Sequence, residues 1–276
     1  MSQALLTRSD LTALFNDLGG AQAFKSSLAA IGNDRDLLCL FARYVHFNSI
    51  FAAGVANLVG AIASRPDLFQ NPIEETALTR DCSVQVASYF FATIIDEFGG
   101  KADPRRATHR LLAQTALKLS AQFFNHPPPH LDQLAPLNSA TLAAVIAVLD
   151  GYGLAQPMNE EKLFRSMGFH LGSELYADRE FCVLDEFLRS HYPRLVEYLQ
   201  NSSKLDGYSG DSWVRIHTSL EADHFALTLS GCNSALQYYA GRSRLADLKS
   251  WILDGFHHFR SVQSSFMRNL MVEDNS

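Results

Sequence analysis

The residues from His217 to His224 read His-Thr-Ser-Leu-Glu-Ala-Asp-His, and they give the clearest indication of both fold and function. His217, Glu221 and His224 lie at positions i, i+4 and i+7, which places their side chains on one face of an α-helix. Imidazole and carboxylate groups together form a ligand set suited to iron, manganese or zinc. The spacing therefore predicts a metal-binding helix. The alternative is a solvated helix face on which two histidines occur by chance.

Helical patterns also cover most of the remaining chain. Most of them begin at a capping residue or end at Gly or Pro. The predicted helices run over residues 36–64, 73–98, 103–124, 139–150, 159–191 (with a kink near Gly172), a short helix to Asn201, and residues 210–239 and 244–270. No segment alternates polar and apolar residues as a half-buried strand does. We expect an all-α protein with a single domain over residues 1–276, consisting of an N-terminal helical extension (1–32) and a metal-binding bundle (33–270).

Composition and charge exclude several classes of protein. The chain has 276 residues, enough for a sizeable core, and its net charge of −6 gives no reason to expect a nucleic-acid partner. Its four cysteines form no CxxC pair, which argues against disulfides and thiolate metal sites and favours a reducing compartment. The N-terminal residues lack the apolar stretch of a signal peptide. We count no uncharged apolar run approaching the ~18 residues of a membrane span. A soluble, cytoplasmic protein that does not cross a membrane is expected.

Further ligand candidates lie on other predicted helices. Glu97 follows an apolar run and stands near a helix C-terminus, where a carboxylate is electrostatically unfavourable. His109 lies among leucines in the next helix, and Glu174 lies in an apolar context where an unpaired carboxylate would be costly. The alternatives are a surface glutamate for Glu97 and a core histidine for His109. In helical dimetal proteins, such groups from several helices project into one core.

The order of these motifs resembles a known family. Asp-Glu-x-Gly (96–99), His109, Gly-Ser-Glu-Leu-Tyr (172–176) and His-x3-Glu-x2-His (217–224) together resemble the haem-oxygenase-like diiron oxidases and oxygenases. The similarity extends upstream to residues 43–48, which resemble the early helix that lines the central cavity in that family. The resemblance covers roughly residues 36–270 and implies a haem-oxygenase-like helical bundle.

The resemblance also implies a cofactor and its ligands. Two iron ions, or iron with manganese, would be held by six side chains: Glu97, His109, Glu174, His217, Glu221 and His224. Position 221 holds Glu where the family more often holds Asp. Asp223 is a competing ligand in place of Glu221, and Asp96 could replace Glu97. Glu180 is a weaker alternative to Glu174. These alternatives stay open at the level of the sequence.

The implied reaction is an O2-dependent oxidation of an external small molecule. Relatives act on amino acids or aliphatic carboxylic acids by desaturation, N-oxygenation, C–C cleavage or cyclisation. An external reductant and a homodimer are compatible with this expectation. Substrate contacts are expected from Tyr44, His46, Asn48 and Phe51 of the early helix. The alternatives are a metal-free hydrolase or ligand-binding protein like the thiaminase branch of the same fold, and a helical interaction protein.

Overall fold

The computed structural model describes residues 5–7, 10–11, 19–71, 81–99, 107–126, 135–154, 157–202 and 207–273. This part of the chain is all-α and contains ten α-helices, one 3₁₀ turn and no β-strand beyond two isolated bridges. The elements are α1 (Gly19–Ala29), α2 (Asp34–Asn48), α3 (Phe51–Ala63), α4 (Ser83–Ile94), the 3₁₀ turn Asp96–Phe98, α5 (His109–Phe123), α6 (Ser139–Gly151), α7 (Glu160–His191), α8 (Pro193–Asn201), α9 (Ser212–Gln237) and α10 (Leu245–Asn269). The predicted all-α fold is confirmed.

Polar side chains cap several of these helices. The side-chain oxygens of Asn33, Asn138 and Asn159 accept hydrogen bonds from backbone N–H groups at the starts of α2, α6 and α7. Thr108 does the same for α5. Each cap satisfies a backbone donor that has no partner within the helix. Local sequence therefore determines where these helices begin.

Four predicted helix boundaries differ from the structure. The helix predicted over 73–98 begins only at Ser83 and ends at Ile94, where a 3₁₀ turn follows. Residues 36–64 form two helices, because Ser49 donates hydrogen bonds to the His46 carbonyl from both its N–H and its Oγ and so ends α2. The predicted start of the third helix at residue 103 lies outside the described residues, and α5 begins only at His109. The predicted kink near Gly172 is absent: α7 runs unbroken over 32 residues, with Phe259 of α10 close to that glycine.

Helix α7 is the centre of the bundle. Its most extensive interface is with α10, and the next is with α9. Gly168 of α7 and Gly255 of α10 allow the two backbones to approach very closely, because a Cβ on Gly168 would lie 1.8 Å from the Ile252 carbonyl oxygen. Helix α1 packs on α10 and α7 and buries Phe24 and Leu28. The helices that carry the candidate ligands are thus held in a rigid frame.

Arg43 has a structural role in this frame. Its buried guanidinium donates hydrogen bonds to the backbone carbonyls of Pro136 (3.1 Å), Leu270 (2.7 Å) and Val272 (3.3 Å). Asn138 also binds the Val272 carbonyl, at 2.7 Å. These contacts satisfy carbonyls at the end of α10 and fix it against α2 and α6. Arg43 is therefore committed to the backbone and is not available to a substrate.

One stretch, residues 34–63, is long and apolar enough to cross a membrane by length and composition. The expectation that no stretch reaches this length is therefore wrong. Buried helices of soluble proteins pass the same test, and here the stretch is divided into α2 and α3. Leu38, Phe41 and Leu58 from these helices are fully buried in the common core. The fold is consistent with a soluble protein.

Candidate metal centre

Three of the predicted ligands form a compact group, here called the Glu97 cluster. Glu97 lies in the 3₁₀ turn after α4, His109 is the first residue of α5, and His217 lies on α9. One ligand atom from each lies within 4.8 Å of the others, and the Glu97 Oε1 and His109 Nδ1 atoms are 3.0 Å apart. Bonds of about 2.0–2.2 Å to one metal ion would place adjacent ligand atoms roughly 3 Å apart. The spacing of the cluster therefore fits a single metal ion.

The surroundings of His217 fix how its ring can bind. Its Nδ1 atom lies 2.7 Å from the Trp213 backbone oxygen, which can only accept a hydrogen bond. Nδ1 therefore carries the proton, and in the neutral ring Nε2 is the nitrogen that can bind a metal. Phe181 stacks on the imidazole at a ring-centroid distance of 4.0 Å. A backbone carbonyl that orients a histidine in this way is typical of metal sites.

The electrostatics of Glu97 favour its charged form. Burial by itself would raise the pKa of the carboxyl group. Attraction to His109, to His217 and to His224 outweighs that effect, so the pKa of Glu97 is lowered. The carboxylate is thus ionised at neutral pH, as a metal ligand must be.

A second group, here called the Glu174 group, lines the same cavity. Glu174 on α7 is buried, and its Oε2 atom lies 3.5 Å from His224 Nδ1 on α9. Its Oε1 atom lies 3.2 Å from Nε2 of His170, one helical turn earlier on α7. Two carboxylate oxygens and two imidazoles thus meet beside the Glu97 cluster. The sequence reasoning identified Glu174 and His224 and missed His170.

His170 is the hub of a buried hydrogen-bond network. Its Nε2 lies 2.9 Å from Thr93 Oγ1, and its Nδ1 lies 3.1 Å from the Tyr152 hydroxyl. The Thr93 hydroxyl donates its proton to the Phe90 carbonyl, so its oxygen can only accept a hydrogen bond from His170 Nε2. The nearby carboxylate of Glu174 likewise offers no proton to Nε2. Nε2 therefore carries the proton and Nδ1 accepts from Tyr152. The Nε2 proton is thus used by Thr93, and Glu174 Oε1 lies against the same edge of the ring at 3.2 Å.

The neutral state of His170 has a consequence for stability. Burial, and after it the charge of His224, lowers the pKa of His170 to about 3, whereas an unfolded chain has a histidine pKa of about 6.5. Between these values the unfolded state binds more protons, so the free energy of unfolding falls as pH falls, by at most about 1.4 kcal/mol per pH unit from this group. Urea unfolding of metal-free protein between pH 7 and pH 4 measures the slope.

The control for this prediction is a matched pair of variants. His170→Gln should flatten the pH dependence relative to the wild type, whereas His191→Gln, at an exposed position on α7, should leave it unchanged. Equal slopes in the wild type and the His170→Gln variant would show that His170 takes up its proton in the folded state.

A cavity of about 70 Å³ joins the two groups. A single water needs about 10–15 Å³ of such space, so there is room for metal ions and a small ligand. Its walls are partly aromatic and include Phe47, Phe51, Phe181, Trp213 and Phe259. Glu180 also lines it and accepts a hydrogen bond of 2.9 Å from the buried Tyr44 hydroxyl.

The structure places the remaining sequence candidates as follows. Asn48 and Phe51 line the cavity, whereas Tyr44 and His46 do not. Glu180, the weaker alternative to Glu174, shares the cavity with it, and Asp223 is exposed on α9. The side chains of Glu221 and Asp96 lie outside the described part of the structure, so their roles stay predictions.

Comparisons with family models, with curated proteins and with solved structures give no match. The site must therefore be interpreted from its own chemistry. Two imidazoles and one carboxylate in the Glu97 cluster form the donor set of non-haem iron(II) sites, and also of some catalytic zinc sites. The Glu174 group adds oxygen and nitrogen donors within the same cavity. The residues present fit a metal centre with room for two ions.

Proposed function

We propose that this protein is a non-haem diiron oxidase or oxygenase that uses O2 to oxidise a small amino acid or aliphatic carboxylic acid. The observation that carries the proposal is the convergence of Glu97, His109, Glu174, His217 and His224 on one cavity from four separate elements. Buried carboxylates and imidazoles are costly to desolvate unless they are paired or bind a metal. The motif order that resembles the haem-oxygenase-like diiron oxidases supports the same assignment.

The donor set is suited to iron. Mixed carboxylate and imidazole ligands without thiolates suit iron and manganese, and a two-histidine, one-carboxylate cluster with open positions is the arrangement of many iron(II) oxygenases. Bound iron would supply the reduction of O2 that an oxidase needs. The protein contributes the ligand geometry and a partly aromatic cavity.

Individual side chains have separable tasks in this proposal. Glu97, His109 and His217 would hold one ion, and Glu174 with His224 would hold the other, with Glu221 as the sixth predicted ligand. His170 packs beside Glu174, with Nε2 at 3.2 Å from Oε1. Phe51 and Phe181 exclude water from the part of the cavity where a substrate would lie.

The structure gives little support to a cysteine-dependent hydrolase at this cavity. All four cysteines lie in the described part of the chain, and none of them lines the cavity. Cys232 is fully buried, and burial raises the pKa of its thiol far above the usual range. A thiol in that state is a poor nucleophile. The metal-dependent reaction therefore remains the better proposal.

Iron reconstitution tests the proposal directly. Protein incubated anaerobically with ferrous iron and then desalted should contain about two iron ions per chain, because the two groups supply separate ligand sets. Exposure to O2 should then produce a transient visible absorption, read by stopped-flow spectroscopy. Elemental analysis of the same sample gives the metal content.

Neighbouring carboxylates supply the controls. Glu97→Gln and Glu221→Gln should each reduce the iron content, whereas Asp96→Asn and Asp223→Asn should leave it near two. If the two aspartate variants lose more iron than the two glutamate variants, the ligands are assigned to the wrong positions by one or two residues. No bound iron in the wild type would remove the proposal and favour a metal-free ligand-binding protein.

A further inference from the structure

The charged side chains around the cavity are strongly unbalanced. Glu97, Glu174 and Glu180 line it, and Arg110 is the only lysine or arginine among the lining residues that the structure describes. Arg110 lies in the first turn of α5, directly after the candidate ligand His109. Its side chain is exposed, so it stands at the mouth of the cavity while the glutamates lie further in.

Arg110 forms no hydrogen bond or ion pair with any residue in the described ranges. Every acidic residue on the cavity wall is instead close to a histidine or a tyrosine: Glu97 to His109, Glu174 to His170 and His224, and Glu180 to Tyr44. A guanidinium presents five N–H donors, and here none of them is used within the described chain.

A second basic group lies near Arg110. His46 of α2, which packs against α5, has a pKa lowered first by burial and then by the charge of Arg110. The His46 ring forms no hydrogen bond with the described residues. Arg110 is therefore the cationic side chain that an anion at the mouth of the cavity would meet.

We propose that Arg110 binds the carboxylate of the substrate at the mouth of this cavity. The inference rests on the proposed function and adds the residue that recognises the carboxylate of its substrate. Arginine matches the planar carboxylate with two parallel hydrogen bonds. The rest of the molecule would extend inward along Phe51 and Phe259, towards the ligand groups.

The acidic side chains of the cavity make carboxylate binding dependent on metal. Glu97, Glu174 and Glu180 line the cavity, and bound divalent ions would offset their negative charge. Without metal, the uncompensated glutamates would oppose anion binding, so affinity for a carboxylate depends on metal loading as well as on Arg110.

The experiment measures binding of sodium hexanoate by ligand-detected NMR titration. Zinc-loaded protein, which does not turn over, and metal-free protein are compared, and the metal content of each sample is determined separately. Wild-type protein loaded with zinc should bind hexanoate and discriminate against hexanamide and hexylamine. Arg110→Gln should weaken binding by about 10-fold to 100-fold, the value of a charge-assisted hydrogen-bonded pair. Arg110→Lys should fall between the two.

Two controls separate specific from general effects. Arg242→Gln removes an exposed arginine that does not line the cavity, and it should bind hexanoate like the wild type. The metal content of Arg110→Gln should equal that of the wild type, because Arg110 is not a ligand. Reduced affinity at unchanged metal content and unchanged thermal stability would support the inference.

Several results would overturn the inference. Equal hexanoate affinity in the wild type and Arg110→Gln at full metal loading refutes it while leaving the metal centre intact. Stronger binding of inorganic phosphate than of hexanoate would make the mouth a general anion site. If the wild type takes up no metal, the proposed function fails. Titrations on metal-free protein then compare the remaining, weaker hexanoate binding of the two proteins. A lower affinity in Arg110→Gln than in the wild type would still support the role of Arg110, and equal affinity in the two would refute it.

Discussion

Replacing His217 by glutamine should lower the metal content of the protein from about two ions to about one per chain. His217 is the only α9 residue in the Glu97 cluster, and its Nε2 is positioned by the hydrogen bond from Nδ1 to the Trp213 carbonyl. Glutamine is chosen because the ring also stacks on Phe181, so a small residue would leave a void in the core. Glu97 and His109 alone would hold the first ion weakly.

Metal analysis after ferrous reconstitution measures this effect. His224→Gln should likewise lose one ion, in this case from the Glu174 group, and the double variant should bind almost none. His191→Gln serves as the control, since this histidine lies on the exposed side of α7. Two ions retained by both single variants, with thermal unfolding like the wild type, would show that α9 does not supply ligands.

Replacing Gly168 by alanine should destabilise the protein by several kcal/mol, against the usual trend. Alanine in place of glycine inside a helix normally stabilises it by about 1 kcal/mol. At Gly168, however, the new methyl group would lie 1.8 Å from the Ile252 carbonyl oxygen and 2.6 Å from its carbon. Both contacts are to backbone, so α7 and α10 must move apart. Such overpacking costs about 1–3 kcal/mol or more.

The chain contains a matched control for this substitution. Gly60 lies in α3, and a Cβ added there would meet no atom within 4 Å. Gly60→Ala should raise the midpoint of thermal unfolding by a few degrees, and Gly168→Ala should lower it by roughly 5–10 °C or prevent folding. If Gly168→Ala is as stable as the wild type, α7 and α10 do not approach each other as closely as described.

Sequence patterns were sufficient for features that depend on near neighbours in the chain. Asn33, Asn138 and Asn159 cap helices because a cap needs only a side-chain oxygen three residues before a free N–H. The i, i+4, i+7 spacing of residues 217–224 puts three side chains on one face of a helix for the same local reason, and two of them, His217 and His224, line the cavity. The all-α class follows from these local rules.

Tertiary structure alone decided which polar groups meet. His170 lies on an apolar helix and resembles an ordinary core histidine, and its contacts come from Tyr152 on the turn after α6 and Thr93 on α4. From the sequence, Glu180 is the weaker alternative to Glu174, whereas in the folded chain both side chains line the cavity.

Arg43 and Arg110 also show the difference between what the sequence determines and what the tertiary structure determines. In the sequence, Arg43 stands beside the predicted substrate residues, and Arg110 has no distinguishing neighbour apart from His109. In the folded chain, Arg43 binds the carbonyls of Leu270 and Val272, more than 220 residues away, and Arg110 stands at the cavity mouth. Local spacing determines the helices and the face on which each side chain lies. The packing of distant helices determines whether a charged group meets a backbone carbonyl or a cavity, because burial makes its free energy depend on its partners.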